Sequence, residues 1–321
     1  MNRTIAAPSI SVVIPTIGRP CLTAAVESAL RQTVSPIEVI VVMDGEGEVN
    51  LARSSSVIVT RTAGRQGAAV ARQVGIDTAT GAVIALLDDD DVWHENKLEL
   101  QLAATPDSSE WILSCRIRIL RPGKRPAVFP RELIRDGQPV FDYLYGRHAL
   151  RFGGSSMQTS TLVFPRRVAQ AVPWSTVAGS EPHDDPEWLA EVQRVLPQVK
   201  IVQIPDTLVD YGLTGESLSR SAEDRSADHI AWALSRLTST SPRVLGDYLL
   251  TEPVSSAVSA GSFRGLRRSI NAGVRHGRPG GWAWAYAGAA IFRIGLRRFG
   301  GLVAQTRQRG LPRHVREPGD D

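Results

Sequence analysis

Ala82-Val83-Ile84-Ala85-Leu86-Leu87-Asp88-Asp89-Asp90-Asp91-Val92-Trp93 carries six apolar residues straight into four carboxylates. An apolar run of this length, bounded by Gly81 and by charge, reads as a strand buried on both faces. The carboxylates then stand at its carboxyl end, the edge where open α/β sheets bind ligands. Four adjacent carboxylates repel one another unless they share a cation. Hard divalent ions such as Mg²⁺ and Mn²⁺ take carboxylate oxygens and keep positions open for phosphate. The competing reading is a solvated acidic turn opening the next helix, where carboxylates are also favoured.

Working outward, Ser9–Ile14 is a β-rich run ended by Pro15, and Leu22, Val26, Ala29 and Leu30 follow Pro20 at helical spacing. Ile37–Met43 is a second apolar strand, ending at Asp44-Gly45; Val57–Thr60 is a third; Ala68–Ala79 is a helix rich in small residues. Strands alternating with helices predict βαβ units, hence an α/β fold with a mostly parallel central sheet flanked by helices. The strand ends carry Pro15-Thr16, Asp44 and Asp88 to Asp91, which would line one nucleotide-sized crevice.

Downstream, His94–Ala104 is predicted helical, Trp111–Leu120 alternates as a half-exposed strand, and Val140–Tyr145 is a short helix. Thr159–Phe164 reads as a strand, Glu187–Leu196 as a helix behind a polar loop, and Val199–Ile204 and Leu208–Tyr211 as two late strands. After Ser219 the strand signal stops, and helices are predicted over 224–237, 242–250, 262–274 and 281–299.

The composition, 42% hydrophobic and 22% charged, is globular and excludes a disordered chain. Cys21 and Cys115 form no CxxC pair, which argues against a zinc site or disulfide framework. With no signal-peptide pattern at the start, a cytoplasmic location is expected. The net charge of +4 hides an asymmetry: residues 261–321 hold twelve arginines and three acids, so the first 260 residues carry −5. An arginine-rich end on an acidic body suggests an anionic partner, either nucleic acid or a membrane leaflet.

Several stretches carry a resemblance. Ser11-Val12-Val13-Ile14-Pro15-Thr16-Ile17-Gly18-Arg19-Pro20 resembles the opening "VVIPTYNRP" of the family 2 glycosyltransferases, inverting enzymes of the GT-A fold. Ile40 to Gly45 is similar to their second strand with its base-binding aspartate, and Gly67 to Ile76 with Ala79-Thr80-Gly81 to "GAAxARNxGIxxAxG". Leu87 to Trp93 with Lys97-Leu98 resembles "LDxDDxWxPxKL", Asp184 to Leu189 resembles "EDxxLWL", and Tyr211 to Ser219 resembles "YRxHxxSLS". The six pieces follow in order from Ser11 to about Ser219, roughly two thirds of the chain. Gln73 replaces the common Asn, Asp184 a Glu, and Thr214 a His, which weakens any phosphate or metal role at that last position.

The resemblance implies a GT-A catalytic domain over 1–220, with a nucleotide-sugar half about 9–105 and an acceptor half about 106–220. A helical extension over 221–305 and a disordered tail over 306–321 would follow. It implies a nucleotide-sugar donor, UDP-linked above all, a sugar or lipid-linked acceptor, and a divalent metal, Mn²⁺ or Mg²⁺. The expected setting is the synthesis of a cell-surface polysaccharide. Asp90, last of the DxD formed by Asp88, Asp89 and Asp90, is the expected metal ligand, offsetting charge on the leaving diphosphate. Asp88 would contact the ribose or donor sugar, and Asp89 is read as mostly solvated. Asp91 is read as a cap on the following helix. Asp44 would bond the base, with a turn-forming Asp-Gly as its structural alternative. Pro15, Thr16 and Arg19 would line base and phosphates, and Arg72 would pair with Asp44 or a phosphate, or lie on the surface. Asp185 is the expected general base, its pKa raised by Asp184 and its direction fixed by capping the helix at Pro186. His183 is the runner-up, Trp93 is read as the wall beneath the aspartates, and Trp188 as core.

Gly281 to Phe292 is a run of twelve apolar residues, against roughly twenty for a membrane span. Arg293, Arg297 and Arg298 follow at helical spacing, so this helix suits a membrane interface, or packs on the catalytic domain with its arginines in water. A nucleotidyltransferase would use a glycine-rich phosphate loop, whereas residues 15–19 hold one glycine. A nucleic-acid binder would interleave aromatics with basic residues, a pattern the body lacks; no nucleic acid is expected as partner.

Overall fold

β1 (Ile10–Thr16) and, after α1 (Leu22–Leu30), β2 (Glu38–Met43) are buried along their whole lengths, as continuous apolar strands covered on both faces must be. β3 (Val57–Arg61), α2 (Ala68–Thr78) and β4 (Val83–Leu86) follow. This computed structural model describes residues 8–292 apart from 50, 52–53, 121–122, 124, 147–153, 178, 180–182 and 213–222. The order β3-β2-β1-β4 is parallel throughout. The ends at Thr16, Met43 and Leu86 therefore share one edge, with Asp44 and the four aspartates just beyond it. Gly75 lets α2 settle onto the sheet, because a Cβ there would overlap the Val13 side chain.

β5 (Val92–Trp93), α3 (Lys97–Ala103), β6 (Trp111–Ile119), β7 (Ala127–Phe129), α4 (Val140–Tyr145), β8 (Val163–Pro165), α5 (Arg166–Ala171), α6 (Asp184–Val195) and β9 (Lys200–Tyr211) complete the first unit. Parallel pairing stops at β4: β8 runs antiparallel to β4 and β6, β6 and β9 are parallel, and β5 is antiparallel to β9. The sheet is thus parallel from β3 to β4 and mixed beyond it.

Four expectations are corrected here. β6 is flanked by β8 and β9, so it is buried up to Cys115 on both faces instead of half-exposed. The two late strands are one, β9. Pro205, which has no N–H to donate, sits where the β6–β9 register shifts between Ser114 and Arg116, so the ladder steps over it. Thr159–Thr161 is a 3₁₀ turn, with strand only from Val163. α6 begins at Asp184, which places Pro186 within its first turn and leaves Asp185 inside the helix, not capping it.

The chain divides into two compact units, Met1–Tyr145 with Arg151–Arg220, and Gly146–Leu150 with Ser221–Asp321. In the second, α7 (Ser226–Arg236), α8 (Pro242–Leu249), α9 (Glu252–Ser259) and α10 (Phe263–His276) precede a final helix over residues 281–292. α8 starts as its sequence dictates, with Pro242 in the first turn and Ser241 accepting from the Val244 N–H; Ser262 caps α10 likewise from Gly265. The separate helix α9 was not evident in the periodicity, because Pro253 reads as a breaker but stands in a first turn. Ala283, Ala287 and Ala290 of the final helix pack among Leu250, Val254, Ala257 and Leu266. Arg293, Arg297, Arg298, the 306–321 tail and residues 213–219 of the last motif lie outside the described residues.

Candidate active site

Thr16, the last residue of β1, donates its hydroxyl to Asp89 Oδ2 at 2.5 Å and accepts from the Gly18 N–H at 2.9 Å. This turn aims Arg19 back over the strand edge. Arg19 Nε donates to Asp89 Oδ2 at 3.2 Å, Nη2 to Asp89 Oδ1, and Nη1 to Asp90 Oδ2 at 2.9 Å. Asp89 is only 1% exposed, so the solvated role expected for it is wrong: a bidentate guanidinium and a hydroxyl replace its water. Arg19 is accordingly no surface arginine. Asp90 is half-buried, and burial, then the Asp88 and Asp89 charges, push its pKa up against the pull of Arg19.

Asp91 does not cap the following helix. Its carboxylate accepts from Ser160 Oγ at 2.5 Å and from the Gly212 N–H at 2.9 Å, at the end of β9. It lies deep, and burial holds its pKa well above the usual range. Gly212 is required there, since a Cβ would collide with the Asp90 carbonyl oxygen. Ser160 also receives the Asp88 N–H at 3.0 Å, and its own carbonyl accepts from Trp93 Nε1 at 2.8 Å. The indole is thereby tied to the Ser160 turn that holds Asp88 and Asp91.

Arg72 is buried and does not pair with Asp44. Gly75 and the close docking of α2 carry its guanidinium across to a different element. Nη1 donates to Asp184 Oδ2 at 2.7 Å and to Asp185 Oδ1 at 3.3 Å, and Nη2 donates to Asp88 Oδ1 at 3.1 Å. Its far side stacks on Trp174, 5.0 Å from the ring centroid. Burial works against its charge, but Asp88, Asp185 and Asp184 outweigh this and keep it protonated. Gln73, the departure from the usual Asn, accepts from the Trp174 backbone N–H at 2.7 Å and so fixes the main chain that carries this ring. Asp44 is buried as well, accepting from Thr62 Oγ1 at 2.5 Å and from the Gln66 and Gly67 N–H groups at 2.8 Å each. It fixes the loop that starts α2, a structural role different from the Asp-Gly turn weighed for it.

Asp185 accepts from the Thr159 N–H at 3.2 Å and from the Thr159 hydroxyl. Burial raises its pKa to about 7, with Arg72 opposing and the Asp184 and Asp88 charges adding to the rise. A carboxylate in that range accepts a proton from a hydroxyl far better than an ordinary aspartate. His183 is buried just before α6, and Trp188 is core, stacked on Trp174 at 4.4 Å.

Sequence reasoning missed Thr159, Ser160, Trp174 and Lys97. The first two belonged to a supposed strand, and Trp174 carried no motif. Lys97 stood in a quoted motif but without a role. It is fully buried, its Nζ lies 4.0 Å from the Trp93 ring centroid with no hydrogen-bond partner among the described residues, and burial lowers its pKa to about 8.

Five carboxylates, Asp88 to Asp90, Asp184 and Asp185, thus pair with two guanidiniums at one edge of the sheet, with Asp91 held beside them by Ser160 and Gly212. Among the described residues no three His, Cys, Asp or Glu side chains already converge as a metal cage. The donor set nevertheless fits a hard divalent ion, because negative groups outnumber positive ones and Asp90 is left with a raised pKa.

A sheet of this order has a GT-A-like fold. Residues 11–130 match the model of glycosyl transferase family 2. The amylovoran biosynthesis glycosyltransferase AmsB of Erwinia amylovora is 30% identical over 107 residues, 32% of this chain and 34% of that protein. The Escherichia coli UDP-Glc:alpha-D-GlcNAc-diphosphoundecaprenol beta-1,3-glucosyltransferase WfaP is 37% identical over 84 residues, 25% of this chain and 34% of that protein. The matches thus span about a third of these two relatives' length. Among solved structures, residues 1–349 of S. aureus TarS superpose with a TM-score of 0.54 at 14% identity, covering 82% of this chain and 78% of that one. The same protein in complex with UDP-GlcNAc gives 0.53, covering 82% and 81%. At that identity the likeness shows the fold alone.

Proposed function

We propose that this chain transfers a sugar, with inversion, from a UDP-linked donor to a sugar or lipid-linked acceptor in the synthesis of a cell-surface polysaccharide. One observation carries the reading. The Arg72 guanidinium touches both Asp88, on the donor-side strand edge, and Asp185, a carboxylate whose pKa is raised to about 7. A proton acceptor and a nucleotide-facing carboxylate cluster are held by one cation, as a single displacement requires. The relatives support the substrate classes: one is named for a UDP-Glc donor and a diphosphoundecaprenol acceptor, and the TarS fold is recorded with UDP-GlcNAc.

In this reading Asp185 takes the proton from the acceptor hydroxyl as its oxygen bonds to the anomeric carbon. The bond from that carbon to the donor diphosphate breaks, and the electron pair leaves on the diphosphate oxygen. Attack opposite the leaving group inverts the centre. Thr159 and Arg72 hold the Asp185 carboxylate in its direction. Arg19 faces the phosphates, with Thr16 and Pro15 setting the turn that carries it. Asp44, by fixing the Gln66-Gly67 loop, shapes the base side. Asp88 lies toward the ribose or sugar, and buried Asp89 anchors Arg19. A divalent ion, Mn²⁺ or Mg²⁺, would be held by Asp90 with help from Asp88, and would supply charge neutralisation at the diphosphate. The test is a panel of nucleotide-sugars screened for Mn²⁺-dependent thermal stabilisation, followed by transfer assays with the hits. No stabilisation by any UDP-sugar, with or without metal, would remove the proposal.

A further inference from the structure

The second unit exposes an apolar surface that its own fold does not explain. The final helix buries Ala283, Ala287 and Ala290 on one side. The rest of its circumference carries Trp282 (43% exposed), Trp284 (43%), Ile291 (47%) and Phe292 (68%), with only glycine and alanine as the other exposed residues. A helix apolar all round is normally buried, so something covers this face. Its neighbour α10 is amphipathic, with Arg264, Arg267, Arg275 and Arg278 exposed on or just beyond it, beside exposed Phe263 and Val274. From residue 253 to residue 316 the chain has no acidic side chain and twelve arginines. Whatever covers the face is therefore apolar and bears negative charge at its rim.

From this we infer that the second unit docks in the plane of an anionic bilayer, with Trp282, Trp284, Ile291 and Phe292 at the acyl boundary and the α10 arginines among the headgroups. The inference rests on the second unit alone and goes beyond sugar transfer. A second copy of the chain is a poorer occupant, because docking two such faces brings like charges together. The apolar run of twelve residues would reach ~18 Å as a helix, short of a hydrocarbon core of ~30 Å, and no helix among the described residues is long and apolar enough to cross. Where the acceptor is lipid-linked, such docking would bring enzyme and acceptor onto one surface.

The test is flotation of the full chain with phosphatidylcholine vesicles, with and without phosphatidylglycerol. Binding is expected on the anionic vesicles at low salt, and only partial release at high salt, because apolar burial is not screened. Replacing Arg264, Arg267, Arg275 and Arg278 with Gln should cut anionic binding at least a hundredfold, at about fivefold per charge. Trp282→Ser with Phe292→Ser should abolish the salt-resistant part. The conservative pair Trp282→Phe and Trp284→Phe, which keeps the fold, should remove quenching of tryptophan emission by brominated lipid. The inference is overturned if the wild type stays unbound at low salt, if the Gln variant binds like wild type, or if bound protein shows no quenching that depends on Trp282 and Trp284. It is equally overturned if light scattering finds a dimer that Trp282→Ser with Phe292→Ser dissociates, since a second copy then owns the face. Neither vesicle binding nor light scattering needs turnover, so failure here leaves the sugar-transfer reading untouched, and the reverse.

Discussion

Replacing Arg72 with Met probes the centre of the site most directly. Methionine keeps the stem that packs on Trp174 but deletes a guanidinium that touches Asp184 at 2.7 Å, Asp88 at 3.1 Å and Asp185 at 3.3 Å. Removing one partner of a buried ion pair costs about 3–5 kcal/mol. The Arg72 side chain is 6% exposed but Asp88 is 30% and Asp185 20%, which screens part of the loss and favours the lower end, about 3 kcal/mol. The effect must depend on pH. In the wild type the Asp185 pKa is already raised to about 7, so the stability this group contributes is complete below its unfolded value near 3.8 and is lost as pH rises toward 7. Deleting the cation raises the Asp185 pKa further. At an effective dielectric near 20 a pair at about 4 Å is worth about 4 kcal/mol, or nearly three pKa units at about 1.4 kcal/mol each. Screening reduces this, and a shift of at least about one unit is expected. Urea denaturation at pH 5.5 and pH 8 measures the first effect, which should be clearly larger at pH 8, where the abandoned Asp185 carboxylate is charged. The pH profile of kcat/KM measures the second, as an acidic limb displaced upward from about 7. A destabilisation that is the same at both pH values, or an unmoved limb, refutes the shared-cation account.

Three further outcomes follow from the same geometry. Asp185→Asn should lower kcat by at least about a thousandfold while UDP-sugar affinity measured by calorimetry stays within a few fold; single-turnover rates near wild type would transfer the base role to His183. Asp90→Asn should abolish metal-dependent nucleotide binding without lowering Tm, since the carboxylate is half-buried and carries a raised pKa; unchanged Mn²⁺-dependent affinity by calorimetry refutes its ligand role. Gly212→Ala should cost about 1–3 kcal/mol in urea melts and weaken nucleotide binding as well, because the new Cβ meets the Asp90 carbonyl oxygen. A silent Gly212→Ala would mean that the β9 end does not fix the aspartates.

The sequence alone determined the parallel half of the sheet and the edge on which Thr16, Asp44 and the aspartates stand. These follow from local signals: continuous apolar runs make doubly buried strands, and their ends carry the polar residues whatever the distant chain does. Tertiary structure decided the partners. Asp89 looks like a solvated middle residue until Thr16 and Arg19, 73 and 70 positions away, close on it. Arg72 reads as a partner of Asp44 or a phosphate, or as a surface arginine, until α6 brings Asp184 to it across 112 positions. Asp91 reads as a helix cap until Ser160 and Gly212 arrive from two other elements. Hydrophobic periodicity carries no record of which carboxylate meets which guanidinium. That choice depends on how closely α2 packs, through Gly75, and on where the Thr159–Thr161 turn docks, and both are settled by contacts far apart in the chain. The same holds for the final helix. Its apolar run is plain in the sequence, but only the packing of Ala283, Ala287 and Ala290 decides that the two tryptophans and Phe292 are left facing outward.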